Sequence, residues 1–156
     1  MRAVLQRVTR AAVRVGGETV GEIGRGLVVL LGVARDDTDT DARYLVEKVL
    51  TLRVFEDAEG RMNLPLAEAR GALLVVSQFT LYGDARRGRR PSWSEAAAPE
   101  RAEVLYEYFV GEARREGARV ETGSFRRMME VELVNDGPVT ILPTAASFFS
   151  FVHGRF

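Results

Sequence analysis

The chain has 156 residues, 46% apolar and 28% charged, with 22 basic and 22 acidic side chains and no formal net charge. That length supports one domain with its own core and no covalent staple, and electrical neutrality excludes a global field that gathers nucleic acid, so any such recognition must be local. The absence of cysteine excludes disulfides, thiolate chemistry and cysteine-held zinc.

From the N-terminus, Arg2 to Val15 alternates apolar and polar residues as a half-buried strand does. Gly16-Gly17 then makes a hairpin turn into Glu18 to Ile23. Gly26 to Val33 is a continuous apolar run rich in valine, the pattern of a strand covered on both faces. Asp36 to Asp41 supplies carboxylates and hydroxyls suited to a helix N-terminus, and Tyr44, Leu45, Lys48, Val49 and Leu52 follow at helical spacing. Arg53 to Glu56 reads as a short strand, Asp57 to Gly60 as a turn, and Ala72 to Phe79 as another buried strand. Asp84 to Pro91 is a loop. Pro99 to Glu116 is predicted as an amphipathic helix, with Ala102, Leu105, Tyr106, Phe109 and Ala113 along one face and Gly117 ending it. Arg119 to Thr122, Met129 to Val134 and Val139 to Leu142 complete the strands.

The predicted class is α+β: a single strand-rich domain, its sheet barrel-like or sandwiched, with two main helices. The apolar run Leu27 to Val33 is too short to span a bilayer, and Met1 to Arg7 has no long apolar stretch of the signal-peptide kind. The expected location is therefore the cytoplasm, with no membrane partner.

Ser77 invites comparison with serine hydrolases, but Val75, Val76, Gln78 and Phe79 surround it where a nucleophile elbow needs glycines. The single histidine, His153, lies in the C-terminal tail, so neither a Ser-His-acid triad nor a usual zinc site can be assembled. Without a base, Ser77-Gln78-Phe79-Thr80 reads either as a strand end satisfying its own backbone or as a site made of backbone donors. In the second reading the N–H groups of Phe79 and Thr80 stabilise an ester oxyanion, an effect of roughly 3 kcal/mol per donor. Ser77 and Gln78 then hold the ligand and Phe79 forms an apolar floor. Downstream, Gly137-Pro138 follows a strand, where the dipeptide alone is ordinary turn punctuation.

Taken together, Val75 to Tyr82 and Asn135-Asp136-Gly137-Pro138-Val139-Thr140 resemble the two signature motifs of the D-aminoacyl-tRNA deacylases, also called D-tyrosyl-tRNA deacylases. The resemblance extends from Met1 to about Leu142, leaving 143–156 as a tail of unassigned role. It implies a homodimer with active sites at the subunit interface, acting on the acceptor end of aminoacyl-tRNA. It further implies that the Gly137-Pro138 bond is cis, and that the two carbonyls of this step enter the partner's site as a chirality gate. Such a gate rejects an L side chain and cannot exclude glycine. Arg7 matches a basic residue bracing that step, Met129 a pocket methionine, Ala102 a small residue on the pocket-side helix and Phe125 an aromatic at the entrance. For Met129 and Ala102, plain core packing is the equal alternative. No cofactor and no metal are implied, and the substrate's ribose 2′-hydroxyl assists attack.

Arg86-Arg87-Gly88-Arg89-Arg90-Pro91 is the one strongly basic cluster and resembles the family's Lys/Arg-Gly-Arg-Arg-Pro segment, placing phosphate contacts there. Two positions depart from the family's usual residues: Gly83, where alanine is common, and Trp93, where phenylalanine is. The tail, with Phe148, Phe149, Phe151 and Phe156, is longer and more aromatic than the family's usual end. A non-catalytic RNA-end binder and an esterase using Thr80 or Ser77 as nucleophile remain as alternatives.

Overall fold

The structure is a computed structural model and describes residues 1–145. Alternation at the N-terminus becomes strand β1, Arg2–Val15, which buries Ala3, Leu5, Val8, Ala11 and Val13. Gly16 and Gly17 both take positive φ, 58° and 83°, and turn the chain into β2, Glu18–Ile23. Strand β3, Gly26–Gly32, runs antiparallel to the first half of β1, so β2 and β3 share one edge of it end to end. The other edge of β1 is taken by β8, Glu130–Ile141. On the far side of β3 lie β6, Ala72–Ser77, and then β7, Val120–Thr122, both parallel to it in turn.

Two close approaches bend this sheet into a nearly closed barrel. A Cβ on Gly26 would fall 1.9 Å from the carbonyl oxygen of Ala72, and one on Gly21 would fall 2.3 Å from that of Thr122. The second contact lets β2 lie against β7 without a hydrogen-bonded ladder between them. Leu74 and Val76 of β6 and Val28 of β3 face an inner cluster with Val8, Val13 and Ile23. Their neighbours Leu73, Val75, Leu27, Val29 and Leu31 face the opposite way, into a larger cluster beneath the helices. Double coverage explains the continuous apolar runs at β3 and β6.

Helix α1, Asp39–Thr51, opens where the Asp41 carboxylate accepts from the Thr38 N–H at 2.8 Å and from its hydroxyl at 2.9 Å. Helix α2, Pro99–Arg115, has Pro99 in its first turn and Arg114 and Arg115 in its last, with Gly117 beyond it at φ 91°. Asp37 is not part of a helix start. It is buried, and its carboxylate accepts from the Met1 ammonium and, at 2.6 Å, from the Ala34 N–H.

The structure departs from the sequence-based expectation at three places in the chain. The strand expected at Arg53 to Glu56 shortens to β4, Phe55–Glu56, and pairs with β5, Met62–Leu64, which was not foreseen. Strand β6 stops at Ser77, and Phe79–Tyr82 is a 3₁₀ turn. The two strands expected around Gly137-Pro138 are one strand, β8, whose register against β1 shifts on either side of Val8. Pro143 to Ala145 stay paired to the N-terminus, the Ala3 N–H donating to Pro143 O and the Ala145 N–H to Met1 O, each at 2.9 Å. His153, Phe148, Phe149, Phe151 and Phe156 lie outside the described residues. No described helix is long and apolar enough to cross a membrane.

Candidate active site

Strand β6 is buried along its length and ends abruptly, because Gln78 leaves the sheet after donating its N–H to Leu31 O at 2.8 Å. Gly32 permits the turn that follows: a Cβ there would stand 3.1 Å from Gln78 O and from Leu81 Cβ. Within the turn the Leu81 N–H donates to Gln78 O and the Gly83 N–H to Thr80 O. Among the described residues, the N–H groups of Phe79 and Thr80 find no acceptor, as the first donors of a helical turn do not. The Gln78 side-chain amide donates to Thr80 Oγ1, fixing one hydroxyl beside those donors. Ser77 and Gln78 are half-buried, and Phe79 is 54% exposed. In a single chain Phe79 is an exposed ring packed edge-on against Trp93, centroids 5.3 Å apart.

Tyr106 of α2 anchors the strand end from below. Its buried hydroxyl donates to Val75 O at 2.8 Å, and its ring leans on Phe125 with centroids 5.7 Å apart. Burial raises its pKa above the usual phenol value, so the donor proton is retained. Ala102 is buried in the helix-side cluster with Phe125 at its margin, whereas Met129 packs against the inner cluster. These three predicted pocket residues thus belong to opposite sides of the sheet. The Met129 sulfur accepts from the Ser124 N–H at 3.3 Å and fills the space that a Cβ on Gly123 would need.

The second signature is held by side chains. The Gly137-Pro138 bond is cis, and Gly137 sits at φ 141°. Arg7, only 4% exposed, donates from Nε to Asp136 O at 2.9 Å and from Nη1 to Val54 O at 2.7 Å. Across the step, the Val139 N–H donates to Asn135 Oδ1 at 2.7 Å and Asn135 Nδ2 donates to Val139 O at 3.2 Å. Asn135 thereby closes the bulge that would otherwise split β8. Sequence reading singled out Gly137, Pro138 and Arg7 but gave Asn135, Asp136 and Tyr106 no separate role; a strand resuming directly after Gly-Pro was the available sign that a side chain spans it.

The registers keep the two signatures apart within one chain. Ser77 is level with Leu31 and so with Ala3, whereas Gly137-Pro138 sits opposite Arg7 on the far edge of β1. Three strand spacings across and four residues along amount to roughly 15–20 Å over the sheet. The cavity of about 360 Å³ between Leu50, Arg53, Asn63, Leu64 and Glu68 includes none of the predicted site residues.

The arginine loop is a closed finger. Asp84 and Ser92 exchange both backbone hydrogen bonds, at 2.8 and 2.9 Å, and Gly88 turns the tip at φ 69°. Arg86 binds the Asp84 carboxylate through Nε and Nη2, holding that acid below the usual carboxylate range. Arg87, Arg89 and Arg90 are exposed and, among the described residues, pair with no carboxylate. Gly83 and Trp93, the two departures, prove to be one feature: a Cβ at Gly83 would lie 2.6 Å from the indole Cζ3. The larger ring occupies the space that a methyl group would take.

A nearly closed barrel backed by two helices, with free turn donors at a strand end and a bulged Gly-Pro edge strand, defines a class that known proteins share. The family model described as D-Tyr-tRNA(Tyr) deacylase matches residues 4–144. A D-aminoacyl-tRNA deacylase of Anaeromyxobacter dehalogenans is 63% identical over 96% of this chain and 100% of its own length, and one of Symbiobacterium thermophilum is 66% identical over 91% and 94%. A solved c-Myc DNA unwinding element binding protein superposes with TM-score 0.89 at 41% identity, covering 94% of this chain and all of that one. A probable eukaryotic D-amino acid tRNA deacylase shares the fold, with TM-score 0.77 at 21% identity. The chain belongs to the D-aminoacyl-tRNA deacylase family.

Proposed function

We propose that this protein is a cytoplasmic homodimer that hydrolyses the ester between a D-amino acid and the terminal ribose of tRNA, releasing both for reuse. Glycine mischarged on tRNA is a second substrate. The observation that carries the reading is the pair of uncommitted N–H groups of Phe79 and Thr80, presented at the end of a buried strand in a chain of this family. Water adds to the ester carbonyl, the oxyanion is met by those fixed donors, and the bond to the ribose oxygen breaks with the adjacent 2′-hydroxyl assisting proton transfer. Ser77 and Gln78 orient the aminoacyl group, and no side chain is acylated.

Handedness is read by the Gly137-Pro138 carbonyls of the partner subunit, held by Arg7 and Asn135. The separation of the two signatures within one chain supports a shared site, since neither motif can complete the other alone. Carbonyl oxygens accept from the substrate ammonium and leave no room for an L side chain. Ala102 and Phe125 border the pocket from the helix side, Met129 supports the sheet from its inner side, and the arginine loop binds phosphates near the acceptor end. Residues 1–142 carry all these groups.

Incubation with D- and L-aminoacyl-tRNA, following loss of the ester, tests the reading. Thr80→Ala should keep substantial turnover, whereas a 2′-deoxy substrate should lose most of it; an acyl adduct on Thr80 would reverse the assignment. Gly137→Ala places a Cβ 2.7 Å from Val139 Cγ2 at a φ that L residues rarely adopt, so activity or selectivity must fall. Full retention of both would refute the gate. The likeness to a DNA unwinding element binding protein keeps one rival, nucleic-acid binding without turnover, which the same assay separates.

A further inference from the structure

We infer that Trp93 and Phe79 form a stacking ledge for an unpaired nucleobase of the RNA end, the one preceding the terminal adenosine; this rests on the function proposed above. Three observations converge. Trp93 is 41% and Phe79 54% exposed, and the two rings meet edge to face, so a broad aromatic surface is left open to solvent. Trp93 directly follows the Asp84–Ser92 bridge that closes the arginine finger, and Phe79 is one of the two strand-end residues whose N–H finds no acceptor among the described residues. A ligand spanning finger and strand end therefore passes over the rings, offering phosphates to Arg87, Arg89 and Arg90 and a flat base to the indole. Aromatic faces flanked by arginines are how single-stranded nucleic acid is gripped without sequence readout. Gly83 is part of the device, because its missing side chain seats the indole.

Trp93 is the only tryptophan in the sequence, so its fluorescence reports the ledge directly. Titration with a stem RNA carrying an unpaired 3′ tail should quench it, and the same RNA made abasic at the residue before the terminal adenosine should bind about tenfold more weakly and quench little. With D-aminoacyl-tRNA, Trp93→Ala should raise KM about tenfold and leave kcat within twofold. With D-aminoacyl-adenosine, which lacks the preceding base, the same variant should match the parent. Gly83→Ala should raise KM for the tRNA severalfold, and Trp93→Phe in the same chain should restore much of it.

Equal losses on both substrates would make Trp93 a mere prop for the turn and overturn the ledge. So would unchanged fluorescence on RNA that anisotropy shows to be bound, or a quench that follows protein concentration and not RNA. Quenching depends on no turnover: an intact quench without hydrolysis supports the ledge and counts against the proposed reaction alone.

Discussion

The two signature segments reach comparable rigidity by opposite means. Ser77 to Tyr82 leaves a strand buried on both faces, and its geometry follows from packing: Val75 and Val76 lie in different clusters, and Gly32 and Tyr106 fix where the chain turns. Asn135 to Thr140 lies in a strand that is exposed or half-exposed throughout, and where its ladder to β1 is interrupted polar side chains hold it, Arg7 from behind and Asn135 across the bulge. Packing tolerates little variation in volume, whereas a hydrogen-bonded brace fails when one donor is lost. The donor half of the site should therefore fail through global stability, and the selective half locally.

The largest effect should come from Leu74→Ala, which empties a fully buried position in the inner cluster and should cost about 2–5 kcal/mol in urea unfolding. The folded fraction should keep its ratio of D to L activity; a changed ratio would mean that packing also sets the gate. Next, Arg7→Ala strips the buried partners from Val54 O and Asp136 O, at about 2–3 kcal/mol. Here selectivity should collapse before stability does, and Arg7→Lys should not restore it, because an ammonium cannot reproduce the two-armed contact. Asn135→Ala should cost about 1 kcal/mol and still shift the D/L ratio measurably.

A smaller effect is expected from Tyr106→Phe, near 0.5–1 kcal/mol, since Val75 O keeps its bond from the Gly123 N–H. The pKa of Tyr106 is raised in the folded state, so its contribution is complete below the ordinary phenol range near pH 10 and is lost only as pH climbs through the higher folded value. Stability should accordingly show no Tyr106-dependent change between pH 6 and about 9. Smallest of all, Asp84→Asn frees Arg86 from its carboxylate. RNA affinity should steepen in its salt dependence by about one phosphate contact, and an unchanged slope would show that Arg86 does not face the RNA.

Sequence patterning was most informative where coverage is symmetrical. The unbroken runs at β3 and β6 announced strands buried on both faces, and alternation with a Gly-Gly turn announced β1 and β2. It misled at Phe79, because an aromatic residue extends an apolar run whether or not the backbone continues, and what stops β6 is the contact with Gly32, distant in sequence. It also divided β8 in two, since proline is a poor ladder residue; here the step sits in a bulge, where proline is tolerated. Closure of the barrel rests on the absence of a side chain at Gly21, which no local pattern signals. The site residues were legible only as motifs. That Gly83 and Trp93 belong together required the distance between them.

Strand β1 carries a further consequence for how the chain is made. It is made before β8 and can pair at once with the β2 and β3 segments that follow it closely, but its second edge waits for β8, which lies far downstream in the chain. Until then a fourteen-residue strand stands half-zipped, with unpaired amides along an edge that other chains can template. Folding should be limited by this long-range closure, and nascent chains lacking β8 should be caught by holdase chaperones or aggregate.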